Sequence, residues 1–217
     1  MLVNAIIVNR NLLSSLKDTV EFLRKEPRIN RILIVDHDST YPELLEWYKN
    51  TDEEVDYIKA NGSAQNAWNP KYSDVRKEYF ILADPDCSYE GVPNDWLDKM
   101  FDVLNNTDAF KVGFSLEIDD LPNSEIGRGA RQHESKYWKK RTTHGWDAHI
   151  DTTFALYRPN SIFSYDAVRL DKPYCIKHIP WYLSNETLSN EWRYYLDHCS
   201  HVSTWGSKIK NNYENSK

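Results

Sequence analysis

Short apolar runs alternate with helical patterns through the first half of the chain, and that order constrains the fold more than any other feature. Runs at residues 2–9, 31–36, 55–59, 79–83 and 110–116 are β-rich and little interrupted by charge. Strands buried on both faces read this way. Helical patterns fall between them at residues 12–25, 41–50 and 94–104, with one or two helical turns at 63–68. Pro27 stops the first helix, Pro42 suits the first turn of the second, and Asn94 is a natural N-cap for the third. A β-α-β-α order predicts an α/β fold: one mainly parallel twisted sheet flanked by helices. The second half is patterned differently. Residues 118–129 are turn-rich, 132–141 helical and basic, 152–157 and 174–179 strands, and 185–198 an amphipathic helix with Trp192, Tyr195 and Leu196 on one face. The tail after Ser207 is polar and expected to fray. No repeat and no linker interrupts the 217 residues, so a single domain is expected.

The run 79–83 ends in Asp84-Pro85-Asp86. Ligands of open α/β sheets bind outside the carboxyl ends of the strands. Two carboxylates there suit a divalent cation, and a divalent cation suits a diphosphate. The letters alone are weak, because Asp36-His37-Asp38 repeats the pattern. Position gives the first motif its weight.

Composition removes several alternatives. A net charge of −6 disfavours nonspecific nucleic-acid binding. No run reaches the roughly 20 apolar residues of a membrane span. The first residues lack a basic region and a cleavage site, so a signal peptide is not expected. Cys87, Cys175 and Cys199 are odd in number and far apart, which favours a reducing compartment and a cytoplasmic protein. The sequons at Asn61, Asn105 and Asn185 then go unused. Eight Trp and fourteen Tyr are many for this length. Most should pack, but their faces also suit sugar rings.

The usual phosphate loops are missing. No G-x-G-x-x-G follows the first strand, no G-x-x-x-x-G-K-[ST] occurs, and seven glycines are too few to wrap a phosphate in backbone N–H groups. A metal, basic side chains, or both must neutralise any diphosphate. With that requirement in place, the chain resembles the GT-A-fold glycosyltransferases, nearest to the family 2-like enzymes. The resemblance rests on Ile7-Val8-Asn9-Arg10-Asn11, Ile34-Val35-Asp36-His37-Asp38-Ser39-Thr40, Asn61-Gly62 and Asp84-Pro85-Asp86, each after a strand. It continues in Asp151-Thr152-Thr153-Phe154-Ala155-Leu156-Tyr157-Arg158 and His178-Ile179-Pro180-Trp181-Tyr182. Within that group it is similar to the N-terminal domains of large chlorella-virus glycosyltransferases of capsid-glycan assembly, which would place it in host cytoplasm.

The resemblance implies a nucleotide-sugar half to about residue 116 and an acceptor-and-lid half at about 117–207. It assigns Asn9, Arg10, Asp36, Asn61, Asp84 and Arg128 to the donor, and Asp86 and His178 to Mn²⁺ or Mg²⁺. An imidazole ligand would favour Mn²⁺. Each residue also has a plainer role. Asp36 can close an Asx-turn over residues 36–40, as Asp38 is expected to. His178 can be a buried imidazole bonded to backbone. The basic cluster of Arg128, Arg131, Lys136, Lys139, Lys140 and Arg141, with His133, can be a lid over the diphosphate or a solvated face. Asp151 is the first choice for the base that deprotonates the acceptor; Glu117, Asp119, Asp120 and Asp147 compete, and a strand-start turn is the alternative. The Glu-Asp pair that many family 2 enzymes carry after this strand is missing.

The expected activity is therefore transfer of a hexosyl group, from a UDP-sugar to a hydroxyl of a glycan or glycoprotein acceptor, with inversion. A sugar-1-phosphate nucleotidyltransferase is the nearest rival, although Asn9-Arg10-Asn11-Leu12 is a poor version of its Gly-rich loop. A non-catalytic carbohydrate-binding module would leave Asp84 and Asp86 unexplained.

Overall fold

A computed structural model describes residues 1–59, 64–198 and 209–211. In chain order the elements are β1 (Val3–Asn9), α1 (Ser14–Arg24), β2 (Ile29–Asp36), α2 (Pro42–Tyr48), β3 (Glu54–Tyr57), β4 (Tyr79–Ala83), β5 (Cys87–Ser88), α3 (Trp96–Asn105) and β6 (Lys111–Gly113). The second half adds β7 (Ser115–Leu116), α4 (Glu125–Glu134), β8 (Arg141–Thr142), β9 (Gly145–Asp147), β10 (Phe154–Tyr157), β11 (Val168–Arg169), β12 (Cys175–His178) and α5 (Asn190–His198). The residue 63 start of the expected turn lies outside the described residues; Ala64–Trp68 is a 3₁₀ segment.

A nine-stranded sheet runs β3-β2-β1-β4-β10-β6-β11-β9-β8. Its first four strands are parallel. β10 is antiparallel to both β4 and β6, β6 and β11 are parallel, and β9 and β8 close the far edge antiparallel. The α/β class expected of a GT-A domain is present, with the parallel part confined mainly to the first half. A smaller sheet, β5-β12-β7, lies beside it.

Successive β1 residues serve opposite cores. Ala5 and Ile7 join the layer under α1 and α3, with Leu16, Leu23, Leu97 and Met100. Ile6 and Val8 face a second layer with Leu33, Phe80, Leu82 and Tyr157, covered by Ala67, Tyr72 and Val75 from 3₁₀ segments. Burying each such aliphatic side chain contributes about 1.5–3 kcal/mol. Apolar residues on both faces explain why these strands lack a polar alternation.

Several boundaries differ from expectation. The strand expected over 110–116 divides at Phe114, and its halves join different sheets. Gly113 sits at the division: a Cβ there would lie 2.1 Å from the Phe154 carbonyl. The turn-rich segment 118–129 contains the start of α4, whose N-cap Ser124 accepts from Gly127 N. The helix expected over 132–141 is the end of α4, a 3₁₀ turn at Ser135–Trp138, and β8. α3 starts after Asp95 rather than Asn94, with no side-chain cap bond. α5 starts at Asn190, not 185.

Candidate functional site

Three strand ends converge at the carboxyl end of β4. The chain leaves β4 through Asp84-Pro85-Asp86 into β5, which pairs antiparallel with β12, His178 opposite Cys87. Ile179 N donates to Asp86 O at 2.9 Å. That pairing sets His178 Nε2 3.3 Å from Asp86 Oδ2. β10 arrives from the other side. Just before it, Thr152 donates its hydroxyl to Asp84 Oδ2 at 2.6 Å, and Asp84 N donates to Thr153 O at 3.2 Å. Asp151 closes a turn of its own, its Oδ1 accepting from Thr153 N at 3.0 Å and from the Thr153 hydroxyl. β10 therefore begins at Phe154 instead of residue 152.

Asp84, Asp86, Asp151 and His178 thus line one cleft of about 410 Å³. Its other walls come from Glu134 at the end of α4, Tyr137 after it, His149, Tyr165 and Arg169 of β11. Burial, then the charges of Asp86 and Asp151, hold the Asp84 carboxyl well above the usual carboxylate range. Burial would lower His178, but the neighbouring carboxylates, Asp86 first, outweigh it and raise the imidazole. Burial also opposes ionisation of Asp151, yet the two Thr153 bonds prevail and lower it. Crowded carboxylates of this kind favour a cation.

Two buried polar atoms here lack a hydrogen-bond partner: Asp86 Oδ1 and His178 Nδ1. Leaving such an atom unsatisfied costs about 1–3 kcal/mol. Among the described residues, no group of three or more His, Cys, Asp or Glu side chains forms a metal cage. Magnesium-like cations commonly take one or two carboxylates and complete their shell with water and substrate phosphate. The donor set fits a cation shared with a diphosphate better than a resident structural metal.

The remaining expected site residues are dispersed. Asn9, Arg10 and Asp36 sit at the carboxyl ends of β1 and β2, outside this cleft's lining. Asp36 is fully buried. It accepts from Ser39 N (2.9 Å), the Ser39 hydroxyl (2.6 Å) and the Tyr48 hydroxyl (2.8 Å). The turn role describes this carboxylate, with one of these donors on Oδ1 and two on Oδ2. Asp38, with φ of 57°, is also a turn residue. Asn9 Nδ2 donates to the Tyr48 hydroxyl at 2.9 Å, while Asn9 Oδ1 and Arg10 Nε are buried without partners. Neighbouring His37 is pushed down to about 4, by burial and then by Arg10. Asn61 lies outside the described residues.

His133 of the basic cluster lines the cleft, while several of its other cations are engaged elsewhere. Arg128 is exposed and donates to Asn123 O and Oδ1, both at 3.2 Å. Arg131 binds the Ile118 and Leu121 carbonyls, Lys140 pairs with Asp147 and Arg141 pairs with Asp171 at 2.5 Å. Of the competing bases, Glu117 and Asp119 are held by Lys172 and Asp120 by Lys177. None of them, nor Asp147, lines the cleft.

The cleft's cation is Arg169, which sequence reasoning missed. It pairs with Glu134 in near-complete burial, donates from Nε to His149 O at 2.8 Å, and lies 4.4 Å from the Tyr137 ring centroid. Burial pushes the Glu134 carboxyl up to about 7 against the pull of Arg169. Lys111 was missed too. Fully buried in β6, its ammonium donates to Ile150 O (2.6 Å), Asp151 O (3.2 Å) and the Tyr157 hydroxyl (2.9 Å), fixing the backbone under Asp151.

The amino end of α1 is already filled. Glu191 of α5 accepts from Leu13 N, from Ser14 N at 3.1 Å and from the Ser14 hydroxyl. A helix amino end is a ready anion site, and here the chain's own carboxylate occupies it.

Cys87 and Cys175 are free thiols. Among the described residues, no helix is long and apolar enough to cross a membrane.

No protein-family model matches the sequence, and no curated protein sequence matches it. Solved structures share its general course at low identity. Glucosyl-3-phosphoglycerate synthase from Mycobacterium tuberculosis, bound to UDP, is 9% identical over 72% of this chain and 57% of its own, with a TM-score of 0.47. The chain thus spans just over half of that synthase. The 4-diphosphocytidyl-2C-methyl-D-erythritol synthase of Anaerococcus prevotii is 11% identical over 73% of this chain and 71% of its own, at 0.41. A glucose-1-phosphate thymidylyltransferase described from Bacillus anthracis is 14% identical over 99% and 83%, also at 0.41.

Proposed function

We propose that this chain is a metal-dependent glycosyltransferase, moving a sugar from a UDP-sugar to a hydroxyl of a glycan or glycoprotein acceptor with inversion. The observation that carries this reading is Asp86 Oδ1, a buried carboxylate oxygen without a partner beside His178 at the carboxyl end of β4. Asp86 and His178 would hold Mn²⁺ or Mg²⁺, whose charge offsets that of the departing diphosphate. Asp84, tethered by Thr152, faces the donor sugar or ribose from the same turn. Asn9 and Arg10 offer unpartnered groups to the nucleotide, while Asp36 holds the turn beside them. Asp151 takes the acceptor proton on its carboxylate as the acceptor oxygen bonds to the anomeric carbon and the bond to the diphosphate breaks. Lys111 holds Asp151 in place from below.

A nucleotidyltransferase must seat a triphosphate, and Glu191 occupies the helix amino end that would serve it. Calorimetric titration with UDP, with and without Mn²⁺, tests the proposal on the natural chain and Asp86→Ala. Mn²⁺-dependent binding that the substitution abolishes is the expected result. Equal binding in every case would remove Asp86 from the metal and the mechanism with it.

A further inference from the structure

The wall facing the carboxylates has a chemistry of its own. Ile150 N donates to Tyr165 O at 2.9 Å, so the residue before Asp151 is paired directly with Tyr165. The Tyr165 ring is 53% exposed and lines the cleft. Its orientation is set by Phe163, packed nearly perpendicular at 5.0 Å between centroids. His149, also in the lining, lies 6.3 Å from the same ring, with Nε2 3.3 Å from Asp166 Oδ1. An open aromatic ring in the same cleft lining as the Asp151 carboxylate suits a ring whose C–H groups carry partial positive charge and whose hydroxyls project sideways.

Charge narrows the choice of ring. Among the described residues lining the cleft, Arg169 is the only Arg or Lys. Its guanidinium is committed to Glu134, to His149 O and to the Tyr137 face. With Asp86 given to the donor's cation, an anionic acceptor would still meet the Asp151 carboxylate, with no uncommitted guanidinium in that lining to offset it. Resting on the transferase reading above, we propose that Tyr165, with His149 beside it and Asp151 one residue from its backbone partner, forms an acceptor subsite for an uncharged pyranose. The ring stacks on Tyr165 and presents one hydroxyl to Asp151.

The test is binding to the full chain by saturation-transfer NMR. Probes are the methyl β-glycosides of glucose, galactose and xylose, against methyl β-glucuronide and glucose 6-phosphate. At least one neutral glycoside should bind better than either charged probe. Tyr165→Ala should weaken it about tenfold, and Tyr165→Phe should leave it within about twofold. The exposed ring makes unfolding of these variants unexpected, and circular dichroism checks that. Preference for a charged probe, indifference to Tyr165→Ala, or no neutral binding would each overturn the subsite. Mn²⁺-dependent UDP binding in the same preparations separates the two readings. If it persists while glycosides fail, the subsite alone falls. If it is lost while Tyr165-dependent glycoside binding remains, the donor reading falls and the sugar subsite stands.

Discussion

Removing Glu134 alone should destabilise this protein more than removing Glu134 and Arg169 together. Glu134 is 1% exposed and Arg169 5%, so neither charge can turn to solvent. Glu134→Met leaves the guanidinium buried without its carboxylate. Breaking a buried pair in this way costs about 3–5 kcal/mol. Arg169 keeps its bond to His149 O and its contact with Tyr137, which places the cost near the lower end, about 3 kcal/mol. For a chain of this size that is roughly 6–12 °C in Tm. Glu134→Met with Arg169→Met removes both desolvated charges and should cost only about 1 kcal/mol. Urea unfolding followed by Trp fluorescence at a pH about one unit above the Glu134 value of about 7 measures both. A second readout is pH. The unfolded Glu134 loses its proton near 4.5 and the folded one near 7, so the folded state binds more protons between them. Its contribution therefore weakens as pH rises through that window, a trend the double variant lacks. A single substitution costing under about 1 kcal/mol, or a double costing as much as the single, would refute the reasoning.

Two further outcomes are expected in the same region. Burial brings the Lys111 ammonium from 10.5 down to about 8, so the unfolded state holds the extra proton between those values and wild-type stability should rise with pH across them. Relative to Lys111→Met the gain should reach about 3 kcal/mol, read by urea unfolding at either end of the window; a constant difference would contradict it. Asp151→Asn should cut sugar transfer by about 10²–10⁴-fold while leaving Mn²⁺-dependent UDP binding within about twofold, and undiminished turnover would eliminate it as the base.

The parallel half of the fold was legible because strands buried on both faces leave unbroken apolar runs, as at 79–83. The place of Asp84 and Asp86 was legible because a strand end fixes where they lie, whereas His178 was singled out only through the resemblance of its segment. The chain beyond Leu116 was harder to read, for physical reasons. Gly127 and Gly129 read as turn residues, yet Gly127 lies within α4, where a Cβ would sit 2.1 Å from Pro122 O. A close packing contact and a turn make the same demand on sequence. β8 and β11 are two residues long and β9 three, too short for any period to show. The directions of the basic cluster could not be read because charge density says nothing of them: Arg131, Lys140 and Arg141 turn to carbonyls and surface carboxylates, while His133 lines the cleft. Glu134 and Arg169 lie 35 residues apart, and nothing local marks either as buried. A lone acid in a basic helix end was the one available hint.

The place of β10 also governs how the chain can be made. β4 holds β1 along one side and β10 along the other, but β10 begins at residue 154. A chain emerging from its amino end can lay down β1, β2, β3 and β4 in turn. Until some seventy further residues have emerged, the free side of Tyr79–Ala83 has no native strand to receive. It then presents unpaired N–H and C=O groups flanked by apolar side chains, the template on which foreign strands add. A strand sheltered in the middle of the finished sheet is thus a bare edge of the unfinished one, and a fragment ending before residue 154 should aggregate where the whole chain does not.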